Sequence, residues 1–193
     1  AFFTKTLIDH IHPAGIVGWL AVALLTIVFA AIFGAMLERV IIRPLMNAPV
    51  FSVVIATIGL STLLIGLAGG VFWGWDTYII ESPFSTKPVT IGGVIITPLD
   101  AGIVAVTLGL ILALTLYLKF TKVGIAMRAT QQNKQTALLM GINVKAIFTG
   151  TWALSAVVSG VAGFLAAPIV LIDTNMGFIV LKRFAGAVLG GWG

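Results

Sequence analysis

The chain has 193 residues, 60% of them hydrophobic and 9% charged, with no cysteine, a net charge of +5 and a mean hydropathy of +1.16. A soluble domain carries about 25% charged residues, so this stock cannot cover a water-facing surface. The missing cysteines exclude a disulfide framework or thiolate metal site, and basic residues without interleaved aromatics argue against a single-strand nucleic-acid binder.

In chain order, segment 1–13 is polar and carries His10 and His12 without a carboxylate cluster, which reads as a solvated end rather than a metal site. Four charge-free apolar stretches follow, 14–36, 51–72, 101–118 and 146–172. At about 1.5 Å per residue, each matches or nearly matches a hydrocarbon core of roughly 30 Å when helical. Lipid offers the backbone no hydrogen-bond partners, so runs of this length must satisfy themselves as helices. The expected fold is all-α, a polytopic transmembrane helix bundle forming one domain over 1–193, with a partial membrane segment at 178–193. The chain starts at Ala1 without a basic leader and stops at Gly193 inside an apolar run, so it reads as an internal portion of a longer protein.

Charge sets the expected topology. Segment 37–50 holds Arg39 and Arg43 beside Glu38, and segment 119–145 holds Lys119, Lys122, Arg128, Lys134 and Lys145 with no acid. The positive-inside rule places both in the cytoplasm, and 1–13, 73–100 and 173–177 outside. Trp73, Trp75 and Tyr78 close the second stretch as an interfacial aromatic belt. In the outer loop Pro83, Pro88 and Pro98 exclude a helix, and Val89–Ile91, Gly92-Gly93 and Val94–Thr97 predict a small β-hairpin. That loop reads as a compact cap over the helix ends; a docking surface for an external partner is the competing reading.

Helices in lipid approach through small residues at i, i+4. Ser155, Ser159, Gly163 and Ala167 form one such stripe, with Ala156 and Gly160 beside it. Thr62, Gly66 and Gly70 form a second, and Ala30 and Gly34 a third. Pro168 is expected to bend the fourth helix or end its regular hydrogen bonding. No phosphate loop, paired carboxylates or nucleophile–base set occurs, so no catalytic residue, metal ligand or cofactor of its own is expected, and the chain does not read as an enzyme. The four stretches contain no Asp, Glu, Lys, Arg or His, so energy for any pumping is expected to enter through a partner.

The segment GIAMRATQQNKQTALLMGINVK, 124–145, is too polar to cross and too rich in helix formers to be a bare loop. Gly124 and Gly141 bracket a helix length of it. From pattern alone, an interfacial helix on the headgroups and a partner-docking helix both fit.

GIAMRATQQNKQTALLMGINV, TWALSAVVSGVAGFLAAP and MGFIVLKRFAGAVLGGWG together resemble the membrane permease of branched-chain amino acid ABC importers. ERVIIRPLMNAP followed by VIATIGLS matches the same family in the same order. The resemblance implies a multi-pass permease in a prokaryotic inner membrane, moving branched-chain amino acids or related solutes such as urea and amides. It also implies a second permease subunit, two cytoplasmic subunits that bind and hydrolyse ATP, and an external substrate-binding protein. Segment 119–145 becomes the coupling region, with Gly124, Arg128, Ala129, Asn133, Ala137, Gly141 and Ile142 as coupling residues. Ala137 and Gly141 are expected to be small because a partner groove receives them closely. Thr57, Ser61, Ser155 and Ser159 can offer weak hydrogen bonds to a passing zwitterion, although such hydroxyls also satisfy neighbouring carbonyls. A partner-free channel or facilitator is the alternative, with 124–145 then only interfacial.

Overall fold

The computed structural model describes residues 2–13, 15–45, 48–78, 89–91, 94–170 and 172. The expected segments 173–177 and 178–193 lie outside the described residues, as do Gly92 and Gly93. Helix α1 is Phe2–Ile11 and α2 is Gly15–Leu37, which runs on as a π-helical turn, Glu38–Ile42, and a 3₁₀ turn, Arg43–Leu45. Helix α3, Val50–Leu67, also closes in a π turn, Ala68–Phe72. Strands β1, Val89–Ile91, and β2, Val94–Ile96, precede α4 at Pro98–Phe120. Short helices α5, Lys122–Gln132, and α6, Lys134–Leu139, lead into α7, Val144–Ala166. Among the described residues, four stretches are long and apolar enough to cross a membrane: Val17–Leu45, Phe51–Phe72, Pro98–Phe120 and Val144–Ala166.

Each boundary has a local cause. Thr97 caps α4 by accepting from the Asp100 N–H at 3.3 Å, and Pro98 supplies the preset φ of a first helical residue. Helix α7 stops at Ala166 instead of running to 172, because Pro168 lacks an N–H and disfavours helical backbone before it. The hairpin pairs Val89 with Ile96, Thr90 with Ile95 and Ile91 with Val94, the register a two-residue turn imposes.

The packed centre is an antiparallel pair, α2 against α7. A Cβ on Gly34 would lie 2.5 Å from the Ala156 Cβ, and one on Gly160 would lie 3.0 Å from the Ala30 Cβ. Trp19 meets Phe164 edge-on at 6.2 Å further along. The stripe that meshes is therefore Ala156–Gly160; Ser155 and Ser159, one position round the helix, remain exposed. On α3, Gly59, Gly66 and Gly70 have nothing within 4 Å, so the second expected ladder meets no neighbour among the described residues. Ile58 and Leu63 on α3, and Leu108 and Leu112 on α4, stay exposed, as lipid permits and water does not.

Segment 1–13 departs from expectation. Most of it is a helix that folds back along α2, with Phe3 stacked on Phe29 at 3.7 Å and buried Thr4 3.3 Å from the Thr26 hydroxyl. Phe29 lies roughly 20 Å along α2, by its rise per residue, so α1 is packed structure beside a span rather than a free polar end. His10 and His12 are exposed. Its Lys5 pairs with Asp9 and lies 4.4 Å from the Tyr78 ring centroid, while the Trp73 indole N–H donates to Thr6 at 2.7 Å. Tyr78 and Ile172 exchange backbone hydrogen bonds of 3.0 and 2.9 Å, so the far ends of α3 and α7 meet in this aromatic cluster.

Candidate functional site

The opposite end of the α2–α7 pair gathers most of the polar structure. Thr121 closes α4 and opens α5: its hydroxyl donates to the Tyr117 carbonyl at 2.6 Å and accepts from the Gly124 N–H at 3.0 Å. Gly124 is buried where α5 turns across α4; a Cβ there would sit 2.5 Å from the Leu118 carbonyl oxygen. Exposed Arg128 donates to the Lys119 carbonyl at 3.3 Å, a cation on the last turn of α4 where the helix dipole is negative. Ala129 is half-buried, and its carbonyl accepts the Asn133 N–H.

The expected single helix between Gly124 and Gly141 is two helices. Asn133 is extended (φ −154°, ψ 105°), and its Oδ1 accepts from the N–H groups of Gln135 and Thr136, both at 3.0 Å. One asparagine thus ends α5 and caps α6. Helix α6 ends in a Schellman turn: the Ile142 N–H reaches the Ala137 carbonyl and the Gly141 N–H the Leu138 carbonyl, both at 3.0 Å. Asn143 then caps α7 by accepting from the Ala146 N–H at 3.1 Å.

These contacts revise why two residues are small. Ala137 is 3% exposed, so its own chain already covers it, which by itself favours a small side chain there. Gly141 has a φ of +81° with nothing within 4 Å of a Cβ, so the left-handed turn, not crowding, favours glycine. The surface left outward is Leu138, Leu139 and Met140, exposed by 52%, 88% and 77%. Sequence reasoning named none of the three as site residues. Their signal was an apolar triplet ahead of a turn-forming glycine in an otherwise polar segment.

Behind this segment a cleft of about 740 Å³ opens between the end of α4, α5 and α7. Leu114, Leu118 and Val158 give it apolar walls; Arg128, Gln131, Thr151, Ser155 and Ser159 supply polar groups. The structure brings Ser155 and Ser159 together here with Arg128. Thr57 and Ser61 lie on α3 outside the lining, and the Thr57 hydroxyl donates to its own helix at the Val54 carbonyl, 2.8 Å away.

A polar joint that sequence reasoning missed sits beside it. Glu38 is fully enclosed (0% exposed), and Arg43 donates to both its carboxylate oxygens, from Nε at 3.3 Å and Nη2 at 3.2 Å. Arg43 Nη2 also donates to the Thr149 hydroxyl at 2.8 Å, and that hydroxyl donates to Glu38 Oε2 at 2.8 Å. In an α-helix, residues five apart point roughly 140° away from each other. The π turn over Glu38–Ile42 widens the coil and brings Glu38 and Arg43 together. Segment 37–50, expected as a loop, is thus largely helical and lashed to the start of α7.

Fold and site together define a multi-pass α-helical membrane protein with a capped polar elbow and the Glu38–Arg43 ion pair at one end of the α2–α7 pair. Residues 1–193 match the family model described as branched-chain amino acid transport system / permease component, and the chain belongs to that family. It is 33% identical over 192 residues to the high-affinity branched-chain amino acid transport system permease protein LivH of Escherichia coli (strain K12), covering 91% of this chain and 60% of that protein. It is 30% identical over 176 residues to BraD of Pseudomonas aeruginosa, named as the same kind of permease, covering 87% and 56%. A probable LivH of Methanocaldococcus jannaschii is 29% identical over 191 residues, covering 92% and 57%. The chain therefore spans a little over half the length of these relatives. No solved structure matches it.

Proposed function

We propose that this chain is the membrane part of the permease subunit of an ATP-driven importer for branched-chain amino acids or related small polar solutes. It would act in a prokaryotic inner membrane with a second permease subunit and an external binding protein, and ATP would be bound and hydrolysed by separate cytoplasmic subunits. The observation that carries this reading, beside family membership, is the α5–α6 elbow with Leu138, Leu139 and Met140 exposed at its tip. An apolar tip on a polar segment beyond the membrane helices suits insertion into a partner's groove. Ser155 and Ser159 serve as path residues in this reading; Thr57 and Ser61 contribute less, being outside the cleft.

The test is leucine uptake, together with substrate-stimulated ATP hydrolysis, in the reconstituted full-length assembly. Leu139→Glu is expected to leave the protein inserted and to abolish both ATPase retention on purification and stimulated hydrolysis. Full-length protein that purifies alone and passes leucine without ATP would establish the channel alternative instead.

A further inference from the structure

A second cleft, about 500 Å³, lies between the 3₁₀ end of α2 and the first turns of α7. Arg43 and Lys145 line its mouth with Asn143; Glu38 balances the charge of Arg43, so Lys145 supplies the net positive charge there and Arg43 a donor. Glu38 is enclosed behind Arg43 and does not face the cleft. Arg43 spends Nε and Nη2 on Glu38 and Thr149, which leaves Nη1 without a partner among the described residues. Lys145 is exposed and makes no ion pair among them.

Beyond the mouth the character changes. Ala146, Gly150 and Ala153 follow one another at i, i+4 and i+7 along the same face of α7, a smooth apolar trough about 10 Å long by the helical rise. It runs from the cations to the seam where Gly34 approaches Ala153. A mouth with one unbalanced cation and a free guanidinium N–H donor, above a narrow apolar trough, has the form of an amphiphile: an anionic head, then a hydrocarbon tail lying along the helix.

We infer that this cleft holds one anionic phospholipid, its phosphate between Arg43 and Lys145 and an acyl chain over Ala146, Gly150 and Ala153. Charge complementarity selects this occupant: a leaflet containing anionic lipid attracts basic residues at its surface, while a zwitterionic headgroup brings its own cation to the same place. The bound chain would cover the outer side of the Glu38–Arg43–Thr149 joint and shield it from water.

The experiment is native mass spectrometry of the full-length permease, released from nanodiscs containing equal phosphatidylglycerol and phosphatidylcholine. Wild type is expected to retain one phosphatidylglycerol per chain in preference to phosphatidylcholine. Lys145→Gln should weaken retention about five-fold, the worth of one cation near an anionic surface, about 1 kcal/mol. Gly150→Leu, at a position where a first added carbon makes only ordinary contact at 3.6 Å, should fill the trough and abolish retention with helical content unchanged. Equal retention of the two lipids by wild type overturns the inference. So does undiminished retention in Gly150→Leu, which means surface attraction alone, or displacement by glycerol phosphate, which means a free-anion site. Loss of a partner subunit rather than lipid in Gly150→Leu would give the trough to another protein helix. The wild-type comparison and Lys145→Gln decide the question even where Gly150→Leu does not fold.

Discussion

The α2–α7 pair and helices α3 and α4 are built from the same kinds of residue and end in opposite situations. Gly34 and Gly160 mesh with Ala156 and Ala30 across a closed seam, whereas Gly66, Gly70 and Gly109 meet nothing within 4 Å. Lipid provides no hydrophobic drive between helices, so a small residue yields contact only where the facing helix is small at the same height. The packed pair also has fixed points, the Glu38–Arg43–Thr149 joint towards one end and Trp19 against Phe164 towards the other. Small residues permit approach; matched registers and polar lashes decide which helices make it.

The contrast breaks most severely at the lash. Arg43→Ala leaves the enclosed Glu38 carboxylate unpaired, and breaking a buried pair in this way costs about 3–5 kcal/mol. Unfolding of the full-length protein in detergent should show that loss; wild-type stability would mean the joint does not hold the helices. Next in size is a matched pair of glycine substitutions. Gly34→Ala drives a methyl group to 2.5 Å from Ala156 and should cost about 1–3 kcal/mol. Gly66→Ala meets open space and should stabilise α3 by up to about 1 kcal/mol, the helix preference of alanine. Equal damage from the two would sharpen the comparison by showing that the α3 face is covered in the assembled protein. Gly141→Ala falls between the two glycine substitutions, about 1–2 kcal/mol for a left-handed residue that acquires a Cβ, read as faster proteolysis between α6 and α7.

What could be read in advance followed the range of the signal. The apolar stretches and the hairpin register are written in adjacent residues, so α2, α3, α4, α7 and the Val89–Ile96 pairing were legible. Helix α1 was not: ten residues with Lys5, Asp9 and His10 look solvated until Phe3 finds Phe29, 26 positions away. The joint was hidden for the same reason, because Arg43 and Thr149 stand 106 apart and a π turn has no plain sequence mark. At the polar end, composition announced a helical segment but not the break, since Asn133 caps a helix only when its own backbone is extended. Ala137 and Leu139 differ by two positions yet by a half-turn of α6, which separates a covered residue from an exposed one.

The elbow formed by α5 and α6 closes each of its corners from within. Thr121, Asn133, the Schellman turn at Gly141 and Asn143 supply a capping hydrogen bond at each helix end between α4 and α7. Its shape is therefore held by hydrogen bonds within its own chain. In the proposed assembly, association with such a segment would carry little ordering entropy, so more of the contact energy at Leu138, Leu139 and Met140 would survive as affinity. In the proposed assembly the same hydrogen bonds would make the elbow a lever, tied to the end of α4 through Arg128 and to the start of α7 through Asn143.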